Sequence, residues 1–278
     1  MHAFLISDGH RPGSHDLASV LSEVFELEIL PPVFVSRTDL EDENLVNVQH
    51  FRAFHLRPPT QGEIGCALAH RGAYQQMIVR NLGEAAIFED DAQVGDAHRL
   101  SHRIGLYTDL LSQSVPTLIN LNQEALPKLL ERRVPSLTGI FAAMTHPYPA
   151  TAYVINLATA RNFVYAQTPV QSQADWPRTT QRTYFYVDRL SSVIENTSLE
   201  STIDEQGQRP GIPLRRKLAM WTALWFRQHH DAFPTFKYFL YWLPGARIVH
   251  HGDRLLRKIK DKVTPLSRNR DKNLRYDS

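Results

Sequence analysis

Short apolar runs that alternate with segments of helical periodicity constrain this chain more than any other feature. Residues 3–6 form one such run, and a stretch of that length without a polar interruption reads as a buried strand. Ser7-Asp-Gly-His-Arg-Pro-Gly-Ser14 follows, a loop whose Gly and Pro break regular structure. Leu17, Val20, Leu21 and Val24 then recur at helical spacing over residues 16–25, and a second strand is expected at 33–35, after Pro31-Pro32. Strand, helix, strand is the rhythm of an α/β sheet.

The most regular helix signal opens at Pro58-Pro59-Thr60-Gln-Gly-Glu63. Thr60 can accept from the Glu63 amide while the Glu63 carboxylate reaches back to the Thr60 amide, a reciprocal cap. Ile64, Leu68, Tyr74, Met77 and Ile78 supply the apolar face, Cys66 and Leu68 read as packing, and Gly83 is a suitable stop. A strand over 85–88 then runs straight into Glu89-Asp90-Asp91. Further strands are expected at 117–121, 139–142 and 151–156, a helix at 158–166, and the last strand of the sheet at 184–187.

Three consecutive carboxylates where a buried strand stops call for an explanation. Ligands of open α/β sheets gather beyond the carboxyl ends of strands. Adjacent carboxylates repel, the more so when partly buried, and a divalent cation removes the conflict. Oxygen-only ligands suit Mg²⁺ or Mn²⁺, which also hold phosphate oxygens. Glu89, Asp90 and Asp91 are therefore candidate metal ligands. The alternatives are a solvated loop start and a phosphoacceptor pocket, for which Asp8 is the early-strand aspartate.

Composition narrows the class. With 42% hydrophobic and 22% charged residues, neither disorder nor a fibrous chain is indicated. One cysteine excludes an intrachain disulfide and suits a reducing compartment. Residues 1–7 lack the basic flank of a signal peptide, and no apolar run is long enough to span a bilayer. A cytoplasmic protein is expected. The net charge of +2 is unevenly placed, with nine Lys/Arg against four Asp over 251–278. Nine aromatics crowd residues 220–243, with Leu214, Leu218, Trp221 and Trp225 at helical spacing. Such a segment can lie on an anionic membrane from the cytoplasmic side or pack on the rest of the chain. No base-stacking module accompanies the basic stretches, so nucleic acid is not an expected partner.

Gln61-Gly-Glu-Ile-Gly-Cys-Ala-Leu-Ala-His70, followed by Ala-Ile-Phe-Glu-Asp-Asp-Ala92, resembles glycosyltransferase family 25, the lipopolysaccharide and lipooligosaccharide biosynthesis transferases. In that family a Gly-Glu-Ile-Gly-Cys-x-Leu-Ser-His helix precedes an apolar strand ending in Glu-Asp-Asp. The likeness extends more thinly through Tyr153-Val-Ile and Pro169-Val-Gln-Ser-Gln-Ala-Asp175 to about residue 195. It implies a GT-A-like nucleotide-sugar-binding sheet flanked by helices, expected over residues 1–208; the aromatic and basic helical appendage expected over 209–278 rests on composition and spacing alone. The resemblance also implies inverting transfer, commonly of galactose from UDP-galactose. The partners are then a nucleotide-sugar donor and a glycolipid or oligosaccharide acceptor. Where the family has Ala-Val-Asp-Gly this chain has Phe34-Val-Ser-Arg37, and Gln171 replaces the aspartate of Pro-Val-Asp. A degenerate chain that binds sugar nucleotide or glycolipid without transfer is the rival reading.

Inverting transfer needs an electrophile for the departing diphosphate and a base for the acceptor hydroxyl. Asp91, supported by Glu89, is assigned to the metal, and Asp90 to metal or ribose. Asp175 is the first choice of base, beside Trp176, whose ring could stack on a sugar; Glu124, after the strand at 117–121, is the second. Ser7, Asp8 and Arg11 follow the first strand where a nucleotide would lie, and Ser36, Glu63 and His70 complete the expected substrate contacts. Glu63 reads first as a cap, and His250-His251 as a candidate late metal ligand.

Overall fold

The computed structural model describes residues 1–196 apart from 12, 56, 113, 126–130, 144–145, 175 and 178–182. The expected boundary near residue 208, the appendage and His250-His251 lie outside these residues. Among these residues ten strands run in chain order as β1 (His2–Ile6), β2 (Glu26–Leu30), β3 (Glu84–Glu89), β4 (Ala92–Val94), β5 (Thr117–Asn120), β6 (Glu131–Arg133), β7 (Ile140–Ala143), β8 (Ala152–Asn156), β9 (Tyr184–Asp188) and β10 (Val193–Glu195). The helices are α1 (Ser14–Ser22), α2 (Val48–His55), α3 (Gln61–Val79), α4 (Ala97–Gly105), α5 (Thr108–Leu111) and α6 (Leu157–Ala166).

Among the described residues, eight strands form one sheet in the order β2-β1-β3-β8-β5-β9-β7-β6, and β10 pairs with β4. β1 is parallel to both β2 and β3, and β5 is parallel to β9. β8 is antiparallel to β3 and β5, so the sheet is mixed. Alternate residues explain the two layers. Ala3, Leu5, Ala86, Phe88, Ala152 and Val154 meet Leu17 and Leu21 of α1 and Leu100 and Ile104 of α4. Phe4, Ile87, Tyr153 and Ile155 face the other way, onto Ala69, Ala73, Tyr74 and Met77 of α3 and Phe163 of α6. Cover on both faces is why β1 and β8 are buried at every position.

α3 begins as expected: Thr60 accepts from the Glu63 amide, and the Glu63 carboxylate accepts from the Thr60 amide. Its end differs. The Leu82 amide donates to Met77 O and the Asn81 amide to Ile78 O, with Asn81 at φ 52°. This is a Schellman closure in which Asn81, not Gly83, takes the left-handed position.

The strand expected at 33–35 is corrected. β2 lies earlier, at Glu26–Leu30, where it pairs with β1 although its sequence alternates charge with apolar residues at the sheet edge. Residues 33–35 instead cross the start of α3: Val35 O accepts from Gln61 Nε2 at 2.8 Å. A Cβ built on Gly65 would stand 2.2 Å from Val33 O. Glycine here is a packing requirement, since the obstacle is backbone.

Gly65→Ala should therefore destabilise the protein by about 1–3 kcal/mol, the usual cost of forcing extra volume into a packed site. Gly72, on the same helix with nothing within 4 Å of its virtual Cβ, provides the control. Gly72→Ala should be neutral or stabilising by up to about 1 kcal/mol through helix propensity. Urea unfolding of the two variants reads the difference.

Candidate active site

β1 and β3 are parallel neighbours in register Ile6 to Glu89, so the loops that follow them share one edge of the sheet. Strand parity puts Glu89 on the side of Ala85 and Ile87, toward α3. Its amide is held by Thr151 O at 2.8 Å. Asp90 and Asp91 then make the turn into β4, whose Ala92 pairs with Glu195 of β10. The Asn196 amide donates to Asp91 O at 2.8 Å, tying the two segments together beside the turn.

The acidic residues are not equivalent. Asp90 Oδ1 accepts from Arg11 Nη1 at 2.8 Å, which brings the β1 loop against the cluster. Burial still raises the Asp90 carboxyl above its ordinary value, with Arg11 opposing. Asp91 is pushed further, up to about 8, first by burial and then by the charges of Glu89 and Glu195. Its Oδ1 is buried with no hydrogen-bond partner among the described residues. Glu195 is itself raised by burial and by Glu89. The expected triplet is thus a larger cluster, and Glu195 is the member that reasoning from sequence missed. No local signal marks it, because only the pairing of β10 with β4 brings it there.

His70 lies beneath Glu89, 1% exposed. Its Nε2 is 2.8 Å from Glu89 Oε1, its Nδ1 is 2.6 Å from the Tyr153 hydroxyl, and Tyr153 is 2.8 Å from the Tyr74 hydroxyl. Helix α3 and strand β8 therefore fix one oxygen of Glu89 through a buried chain of three side chains.

The other expected contacts sort by what their polar atoms already do. Asp8 is exposed and accepts from the His10 amide at 2.8 Å; its charge is felt at Asp90. Ser7 is buried, and its Oγ accepts from the Gly9 amide at 3.0 Å. Ser36 bonds Asp39 and Thr38, closing the turn before a 3-10 segment at Asp39–Glu41. Glu63 is 2% exposed. Burial alone would raise its carboxyl, but Arg57, the Thr60 amide and Gln173 lower it to about 2. Its oxygens are committed to that frame, so Glu63 is a structural cap with no face left for substrate.

Trp176 also corrects the expectation. Its ring is 3% exposed, lies edge-on to Tyr153 at 4.8 Å between centroids, and donates through Nε1 to Pro147 O. A ring enclosed in the core cannot stack on a sugar. Cys66, expected as packing, is half-buried beside His70 and Glu89. Glu124 is exposed in the loop after β5, its amide turned onto Asn122 Oδ1 at 2.9 Å. Asp175 lies outside the described residues.

The sequence pattern described as glycosyltransferase family 25 (LPS biosynthesis protein) matches residues 35–176, a span that includes α3, β3 and the acidic turn. This chain belongs to glycosyltransferase family 25. A rat relative named probable inactive glycosyltransferase 25 family member 3 is 30% identical over 174 residues, 59% of this chain and 30% of that protein. Human procollagen galactosyltransferase 2 is 26% identical over 172 residues, 59% of this chain and 27% of its own length. In Xenopus laevis procollagen galactosyltransferase 1-A the match is 47% over 38 residues, 14% of this chain and 6% of that one. The family 25 chain thus spans under a third of the relatives it matches. Among solved structures, mannose-1-phosphate geranyltransferase from Thermus thermophilus covers 68% of this chain and 74% of its own, with a TM-score of 0.38 and 10% identity.

The carboxylate oxygens of Asp91, Glu89 and Glu195 are the donor type that a hard divalent cation takes, and Asp91 Oδ1 is buried without a hydrogen-bond partner among the described residues. A pH experiment follows from Asp91. Its folded carboxyl titrates at about 8, above the ordinary 3.8, so the cation-free protein loses stability as pH rises from about 4 through 8. The slope from this group is at most about 1.4 kcal/mol per pH unit. Asp91→Asn should remove that loss, so its stability advantage over wild type grows across this window and levels off above it. Urea unfolding in chelator at a series of pH values measures the growth.

Proposed function

We propose that this family 25 chain is an inverting glycosyltransferase that moves galactose from UDP-galactose to a hydroxyl of a lipopolysaccharide or related glycan. Mn²⁺ or Mg²⁺ would be held at the Asp91 cluster. The observation that carries the reading is the Asp91 carboxyl, buried with one oxygen unpartnered and pressed by Glu89 and Glu195 at the end of a parallel strand pair. Relatives named as galactosyltransferases support the sugar, and the family's description supports the acceptor.

In a single displacement the acceptor hydroxyl attacks the anomeric carbon as the nucleoside diphosphate leaves. When bound, the cation offsets charge developing on the leaving diphosphate. Asp91, Glu89 and Glu195 supply oxygens to it, and His70 keeps one oxygen of Glu89 in place. Asp90 holds Arg11 at the same edge, where its guanidinium adds positive charge beside the phosphates of a bound donor. The hydroxyl proton goes to Asp175, with Glu124 on the β5 loop as the other carboxylate to be tested. A membrane glycolipid as acceptor agrees with the aromatic and basic composition of residues 209–278, and with action at the cytoplasmic face of a membrane.

A second reading, binding without transfer, is favoured by the relatives named inactive. Gln171 adds to it: where the family has an aspartate, this amide turns back onto Ala166 O. Hydrolysis of UDP-sugars separates the two. Wild type should hydrolyse UDP-galactose in Mn²⁺, and Asp91→Ala should lose about 100-fold or more, the scale of removing one electrostatic stabiliser. Nucleotide binding with no turnover of any UDP-sugar would leave the binding reading in place.

For the base, Asp175→Asn should abolish the acidic limb of the pH–rate profile while Glu124→Gln retains it. The opposite pattern assigns the proton to Glu124.

A further inference from the structure

Cys66 is the single cysteine of the chain and has no part in the chemistry above. It stands four residues before His70 on α3, the spacing that puts two side chains on one helix face. Its Sγ, a ring nitrogen of His70 and a carboxylate oxygen of Glu89 all lie within 4.8 Å of one another. A tetrahedral zinc, with bonds of about 2.3 Å to sulfur and about 2.0 Å to nitrogen or oxygen, keeps such atoms about 3.5 Å apart. The sulfur therefore has to close by at most about 1.3 Å to reach that spacing. His70 Nε2 and Glu89 Oε1, 2.8 Å apart, have to open by about 0.5 Å to seat the ion.

The second nitrogen of His70 strengthens the case. Nδ1 is hydrogen-bonded to Tyr153, and Tyr153 to Tyr74, so the ring is oriented from behind. With the proton on Nδ1, Nε2 turns a lone pair toward the Glu89 carboxylate, and a cation between them removes the repulsion. A ligand histidine held by an outer partner in this way is the usual arrangement of metal sites. A thiolate and an imidazole select a soft or borderline cation, whereas the carboxylates around Asp91 select a hard one.

We propose that Cys66, His70 and Glu89 form a binding site for a soft divalent cation of the Zn²⁺ or Cd²⁺ class, with a fourth position open to water. Binding releases the thiol proton to solvent. The site is distinct from the Asp91 cluster but shares Glu89 with it, so its occupation withdraws Glu89 from the hard cation. Zn²⁺ thereby competes with Mn²⁺; this competition, though not the site itself, rests on the transferase reading.

Metal-free protein, as the full chain, titrated with Cd²⁺ tests the site, because thiolate-to-cadmium charge-transfer absorption can come only from Cys66. The expected result is a saturable band at a single equivalent, absent in Cys66→Ser. Its apparent affinity should fall at least about tenfold in both His70→Gln and Glu89→Gln, the scale of a lost ligand or outer partner. Glu89→Gln alters a half-buried side chain at a strand end, so it reports even where His70→Gln fails to fold. No band, or a band whose affinity is unchanged in Glu89→Gln, would mean a lone thiol and overturn the site. The resonance of free Mn²⁺ then tests competition: Zn²⁺ should release Mn²⁺ from wild type and not, at the same concentration, from Cys66→Ser. Mn²⁺ retained by wild type refutes the competition, whereas wild type that never binds Mn²⁺ refutes the transferase's metal reading and leaves the cadmium result to decide the site.

Discussion

Because helices cover both faces of the central strands, charged side chains on β3 are confined to its two ends. Ala85, Ala86, Ile87 and Phe88 are fully buried, and only the end positions Glu84 and Glu89 are not. Burying an ionised carboxylate without a partner costs far more than a strand residue can recover by packing. The acidic turn therefore stands where the cover ends, and the parallel neighbour β1 ends its own run at the same edge. Location of the site and composition of the strand are one constraint seen twice.

Partners decide which carboxylate remains costly. Asp90 has Arg11, Glu89 has His70, and Asp91 keeps a buried oxygen with no hydrogen bond. Of the acidic turn, Asp91 is the residue pushed furthest from its ordinary titration, because burial and the like charges of Glu89, Glu195 and Asp90 act on it together. A buried salt bridge elsewhere makes the contrast. Arg103 grips both oxygens of Asp188, Leu190 donates an amide, and Tyr107 adds its hydroxyl, so no valence is left for a ligand. That carboxylate is a brace between α4 and β9, whereas the Asp91 cluster has capacity to spare.

Legibility in the sequence followed the range of the interactions involved. The α3 cap, β3 and the acidic turn were readable because each rests on neighbours a few residues apart, as Thr60 and Glu63 illustrate. Misreadings came where distant segments decide. Residues 33–35 look like a strand, yet their carbonyls settle on α3 because Gly65 and Gln61 admit them. β2 is edge-placed and half charged, so its apolar pattern is faint. Trp176 next to an expected base suggested a sugar platform, but the aromatic faces of Tyr153 and Phe163 offer it a better burial. Glu195 reaches Asp91 only through a pairing of two three-residue strands, which no periodicity announces.

Glu89 is where these threads meet. Strand parity turns it toward α3, so its carboxylate is reached from below by His70 and Cys66 and from the turn side by the field of Asp91 and Glu195. One carboxylate cannot serve nitrogen and sulfur donors on one side and a hard cation on the other at full strength. The contact with His70 Nε2 at 2.8 Å holds one oxygen of that carboxylate in place. A side chain so placed couples the acidic cluster to residues of α3 that lie beneath the strand end.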